Sequence, residues 1–136
     1  MANAGTVTVT PTYSPRGELF SFEIAWACAS DAATLELDSV PLWGQVVALY
    51  TIAGTTGPTD NSDLDIYKTG ITNAAADILQ SLGENAIDNS ATVPVFVPIV
   101  FSGTEIHPPA NGLYDLVITN NSVNGATGTI ILYMRP

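Results

Sequence analysis

The stretch LFSFEIAWAC, Leu19–Cys28, decides the fold class. Phe20, Phe22, Ile24, Trp26 and Cys28 fall on one alternation and Ser21 and Glu23 on the other, which is the period of a strand with one dry and one wet face. Toward the N-terminus, Thr6, Thr8, Thr10 and Thr12 alternate with Val7, Val9, Pro11 and Tyr13, so 6–13 reads as a second strand. Ser14-Pro15-Arg16-Gly17 between them has the composition of a turn.

Downstream, a short strand is expected at Thr34–Leu37. Another follows at Gly44–Ala53, apolar on both alternations as in a central or doubly covered strand. GTTGPTDN, Gly54–Asn61, has no apolar anchor and predicts a surface loop, followed by a strand at Leu64–Thr69. Thr72–Gly83 is the one helical candidate: Ala75, Ile78, Leu79 and Leu82 share a face, Thr72 or Asn73 caps the start, and Gly83 suits the stop. Val93–Phe101 carries Pro94 and Pro98 four residues apart, so both missing N–H donors fall on one side, as in an edge strand. Leu113–Thr119 and Thr127–Met134 predict a closing β-hairpin turned at Asn124-Gly125. Seven or eight short strands with at most one short helix predict an all-β fold, an antiparallel β-sandwich with either jelly-roll or immunoglobulin-like connectivity.

At 136 residues, 46% hydrophobic and 12% charged, the chain is long enough for one core and too apolar for disorder. The expected organisation is a flexible N-terminal arm at 1–5 and a single domain over 6–136. Thirteen acidic residues against three basic ones (Arg16, Lys68, Arg135) give a net charge of −10, which argues against direct nucleic-acid binding and against an anionic membrane surface. With Cys28 as the sole cysteine there is no intrachain disulfide, cysteine-based zinc site or CxxC redox centre. MANAGTVTVTPTY lacks a basic region followed by a long apolar run, and no stretch approaches the roughly 18 apolar residues of a membrane span. Neither a classical secretory route nor membrane insertion is expected.

Catalytic groups are sparse. The only histidine, His107, sits in Glu105-Ile106-His107-Pro108-Pro109, and no serine lies in a GxSxG elbow. Glu18, Glu23 and Glu105 read as scattered solubilising carboxylates, and Cys28 as a buried, inert thiol. No enzyme and no cofactor are expected. Asp60, Asn61, Asp63 and Asp65 form the densest set of oxygen ligands, but their spacing does not match a helix-loop-helix calcium loop, so no metal is assigned. Trp26 belongs to the dry face. Trp43, with Tyr13, Tyr67 and Tyr133, is what a glycan platform would have to be built from. The sequon Asn120-Asn121-Ser122 adds nothing without a secretory route.

The segment GTTGPTDNSDLDIYKTGITNAAADILQSLGENAIDN (54–89), followed by LYDLVITNNSVNGATGTIILYMRP (113–136), resembles a recurrent type of small structural protein of tailed bacteriophages. A GPTDN-like loop precedes an acidic strand, and the chain closes on ITN…ATGT…LY, similar to the VTN…ATGT…LY hairpin of such proteins. FEIAWACASDAA gives weaker support, and AAADILQSL departs from the pattern in being more helical. The resemblance implies a non-enzymatic virion component, foremost a capsid decoration or cement protein that bridges and stabilises capsid subunits. Its partners would be the major capsid protein or other virion proteins, with homo-oligomerisation. A neck or tail accessory protein is one alternative. A host-surface or carbohydrate-binding β-sandwich module is the other. Low charge and a high apolar content agree with such a role. Candidate contact residues are Met1, Ala2, Asn3, Ala4 and Gly5 in the arm, Trp43, and the terminal Tyr133, Met134, Arg135 and Pro136.

Overall fold

Period-two alternation produces seven antiparallel strands in the computed structural model, which describes residues 5–13, 19–31, 35–71, 77–90, 92–99 and 108–136. They are β1 (Gly5–Tyr13), β2 (Phe20–Cys28), β3 (Leu35–Ala53), β4 (Asp63–Lys68), β5 (Val95–Pro98), β6 (Pro109–Thr119) and β7 (Thr127–Arg135). They form one hydrogen-bonded sheet in the order β1-β2-β7-β3-β6-β4, with β5 attached to β3. The all-β class predicted by the alternation is what the chain adopts, and the described residues contain no helix. One core cluster runs through β2, β3, β4, β6 and β7 and includes Leu79, Ala86 and Ile87 from the segment after β4.

The two strands expected at Thr34–Leu37 and Gly44–Ala53 are one continuous strand of 19 residues, β3. Its buried positions are Leu35 and Leu37, then Val40, Leu42 and Val46, then Leu49, Thr51 and Ala53. Parity changes twice, close to the register shifts at Leu37/Val40 and Val46/Ala48, because each bulge inserts one residue and turns the following side chains back to the same face. Gly44–Ala53 is therefore not covered on both faces. Its two apolar alternations are one inner face read across a bulge, and Val47, Tyr50 and Ile52 stay half-buried on the outer side. The first bulge is held by Asp115, whose Oδ1 accepts from Ser39 N at 3.0 Å and from Thr69 Oγ1 at 2.8 Å, with Ser39 at φ 58°.

The predicted closing hairpin does not form. β6 pairs with β3 and β4, whereas β7 lies between β2 and β3, so the two are never neighbours. Asn124-Gly125 does make a turn, with Gly125 at φ 67°, but that turn closes onto the end of β2: Gly125 N donates to Ala29 O and Cys28 N to Ala126 O. The local turn signal was sound. Its partner strand was not encoded nearby. Trp26 lies directly over Gly128, where a Cβ would stand 2.7 Å from the indole, so the ring is 3% exposed and belongs to the core as expected.

Where a helix was expected over Thr72–Gly83, the described part from residue 77 onward is a chain of tight turns. Asp77 is 4% exposed and its carboxylate accepts three backbone donors: Ile66 N at 2.9 Å, Leu79 N at 3.1 Å and Ser81 N at 3.0 Å. Gln80 and Ser81 take positive φ (47° and 67°), which no right-handed helix tolerates. An acidic side chain that bonds nearby backbone competes with helix formation, and here that competition wins because the same carboxylate also satisfies a donor of β4. The segment then lies along β4, with Leu64 N donating to Gly83 O, Ile78 N to Ile66 O, and Ser62 bridging Ile87.

Asp77→Ala orphans three backbone N–H groups, so we expect a loss of about 3 kcal/mol in urea unfolding with the m-value unchanged. A loss below about 0.5 kcal/mol would show that the turns hold without the carboxylate.

Candidate contact surface

Register places side chains of five strands on one outer face. Phe96, Tyr50, Ile131 and Glu23 form one cross-strand row, and Pro98, Ala48, Tyr133, Ser21 and Thr12 form the next. A third row is Ile52, Thr129 and Ala25. These rows carry one charge, Glu23; Arg135 stands at their end, its Nε bonded to Gln45 Oε1 at 3.0 Å. Phe96 is 60% exposed, while Tyr50, Ile52, Ile131 and Tyr133 are half-buried. A chain of net charge −10 therefore has a broad neutral face with an aromatic and aliphatic centre, the composition found at the centres of protein interfaces.

The charge is concentrated elsewhere. Asp60, Asp63, Asp65, Asp77, Glu84 and Asp88, six of the thirteen acidic residues, sit on β4, on the loop before it and on the turns after it. Burial raises the Asp65 carboxyl above its ordinary range, reinforced by Asp77, Asp63 and Glu84 and opposed by a hydrogen bond from Tyr67. Tyr67 is raised in turn, by burial and then by Asp65. Asp88 is raised by desolvation and then by the charge of Asp60, with which it shares a hydrogen bond. Asp63 is committed to structure, accepting from Asn85 N at 2.7 Å and from Asn120 Nδ2. Asp60, Asp63 and Asp65 do not converge: among the described residues no three His, Cys, Asp or Glu side chains could hold a metal ion together.

The contact residues expected from sequence separate. Met1, Ala2, Asn3 and Ala4 lie outside the described residues, while Gly5, assigned to the arm, opens β1 opposite Cys28. Tyr133 is on the neutral face and Arg135 at its margin, and Pro136 is exposed. Met134 is fully buried, because the alternation along β7 turns it into the core beside Leu132, and it cannot be a contact residue. Trp43 is 39% exposed, stacked on Phe20 (centroids 6.2 Å apart, 23° between planes) and edge-on to Phe22 at 4.5 Å. Gly44 makes this possible: at φ 100° it has no side chain where Phe20 Cζ would be 2.7 Å from a Cβ. Trp43 thus covers the end of the core and stands in a separate cross-strand pair, with Asn111, away from Tyr133 and Tyr67. Tyr50, Phe96 and Ile131, which form the centre of this face, were not singled out from the sequence because the bulge in β3 hides which alternation is outward. The Pro94/Pro98 spacing was the available signal, since it points Phe96 the same way.

Of the residues with chemical potential, Cys28 is buried, and burial pushes its thiol up, away from reactivity. Glu23 stands exposed on β2. Glu18, Glu105 and His107 lie outside the described residues. The two motifs that carried the resemblance meet in space: Thr59 N donates to Asn121 Oδ1, Ser122 N to Thr59 Oγ1 and Thr127 N to Thr56 O, so GTTGPTDN is clasped to NNSVNGAT, and Pro58 is buried rather than loose at the surface. No known protein family, curated protein or solved structure matches the chain. Among the described residues no helix is long and apolar enough to cross a membrane.

A carboxyl whose folded pKa is raised penalises the folded state above that pKa, and the penalty fades as pH falls toward the unfolded value. Asp65→Asn should therefore be more stable than the parent at pH 7, with the difference shrinking on acidification below the raised pKa. Urea midpoints of both proteins between pH 4 and 7 read this directly, and a difference that grows on acidification would reverse the assignment.

Proposed function

We propose that this chain is a non-enzymatic structural protein of a tailed-bacteriophage virion, a capsid decoration or cement protein that bridges neighbouring capsid subunits and stabilises the shell. The observation that carries this reading is the outer face of β5, β3, β7 and β2, which carries one charge, Glu23, on an otherwise acidic chain. A face of that kind can lie against a protein shell with a single carboxylate, Glu23, to be paired or left at the rim, and its central aromatic residues supply contact area. The pattern resemblance over Gly54–Met134 supplies the biological setting, and the mutual docking of its two halves supports treating them as one motif. The mechanism is binding: each added interface raises the free energy needed to separate capsid subunits. The protein would be made in the host cytoplasm and reside in the virion.

Quantitative mass spectrometry of purified particles tests the setting. Copy number near that of the major capsid protein is expected; about a dozen copies would move the protein to the neck or tail, and absence would overturn the virion reading. Phe96→Glu tests the face. At 60% exposure it should change folding stability by less than about 1 kcal/mol, yet weaken rebinding to particles lacking the protein by at least about tenfold.

A further inference from the structure

Backbone edges in this sheet are treated unequally. The outer edge of β4 is covered by the turn segment, through Leu64 N to Gly83 O, Ile66 N to Asp77 Oδ1 and the Ser62–Ile87 bridge. The outer edge of β5 is blocked by proline: Ile99 N bonds Val47 O, so the alternate residues Phe96 and Pro98 face outward, as does Pro94. The first half of β3 pairs with β6 on one side only. There Val46 N bonds Pro108 O, so Pro41 faces the other side and, with the Ser39 bulge, interrupts that edge.

Among the described residues nothing gives β1 comparable protection over Gly5–Val9. Cys28 N donates to Ala126 O, toward β7, so the even residues of β2 bond β7 and the odd ones bond β1. Their partners are Thr6, Thr8, Thr10 and Thr12, which leaves Gly5, Val7, Val9, Pro11 and Tyr13 directing their backbone groups to the free edge. Pro11 has no N–H to offer, and the open run is Gly5–Val9. No described residue pairs with it.

We infer that the Gly5–Val9 edge of β1 is a dimerisation edge that pairs antiparallel with the same segment of a second copy, on a two-fold axis through Val7. Gly5 then faces Val9 of the second copy and Val7 faces Val7 of the second copy, three pairs exchanging about six backbone hydrogen bonds and joining the two sheets. Charge selects a second copy as the occupant. Gly5–Val9 has no charged residue and neither has Ile24–Cys28 beside it, so two chains of net charge −10 approach without a carboxylate at the seam. This inference stands apart from the virion reading, since it concerns the isolated chain.

Sedimentation of the purified chain from micromolar to about millimolar concentration should show a monomer–dimer equilibrium. Val7→Pro removes one outward donor and no β1–β2 hydrogen bond, so it should weaken dimerisation by at least about tenfold while retaining the parent's circular dichroism. In the parent, NMR amide exchange at Val7 and Val9 should slow with rising protein concentration while Thr8 does not change, which decides the matter even where Val7→Pro fails to fold. A monomer at all concentrations, a dimer unaffected by Val7→Pro, or concentration-independent exchange at Val7 and Val9 would overturn the inference. A monomer whose Val7→Pro form loses particle binding would also overturn it, and would assign the edge to a strand from another protein.

Discussion

Everything in this fold depends on β3 keeping one face inward over its 19 residues. A strand of that length accumulates twist and would carry its inner side chains away from a compact core. Two bulges re-aim it, one held by Asp115 and one where β7 begins its ladder. β6 and then β5 follow along one edge of β3, and β7 takes the other. Without the bulges, Val40, Leu42 and Val46 would fall out of phase with Leu35 and Leu37, and β6 and β7 would have no common strand on which to organise the core.

That constraint explains what could be read in advance. Strands with a single unbroken alternation, such as Phe20–Cys28 and 127–135, were legible because period two needs no knowledge of partners. The proline pair at 94 and 98 was legible for the same reason, as a local statement about which donors are missing. β3 was not, because an inserted residue looks like a second apolar face when only composition is counted. Nor was the pairing of β7, since a turn at Asn124-Gly125 specifies a reversal of direction and says nothing about which strand receives it. The apolar face over Ala75–Leu82 suggested a helix, but the decisive group was Asp77, whose partner Ile66 belongs to β4. Of the terminal residues singled out as candidates, Tyr133 faces outward, Arg135 stands at the margin of that face, and Met134 is buried. Parity along β7 separates all three.

Charge is segregated by the same topology. β4 and the turns beside it collect carboxylates, several engaged as acceptors for backbone N–H groups, and there a negative group organises the chain. On β2, β7 and the second half of β3, short hydroxyl, aliphatic and aromatic residues face outward instead, with Glu23 the one carboxylate among them. The molecule thus has an acidic side whose charges serve its own architecture and a side whose rows carry one charge, Glu23. The second is where selection for an external partner has room to act.

The position of β7 has a temporal consequence. It is the last of the seven strands in chain order, yet it sits between β2 and β3, hydrogen-bonded to both. Until it has been synthesised, β2 and the second half of β3 each lack their common neighbour, and Phe22, Ile24 and Leu49 have no Ile130 or Leu132 to pack with. Ribosome-bound intermediates would thus carry two adhesive half-sheets, and the final packing would be deferred until after β7 emerges, a slow route dominated by non-local pairing. For a chain made in quantity, that delay makes a holding chaperone or rapid capture during assembly a determinant of yield, independent of how stable the finished fold is.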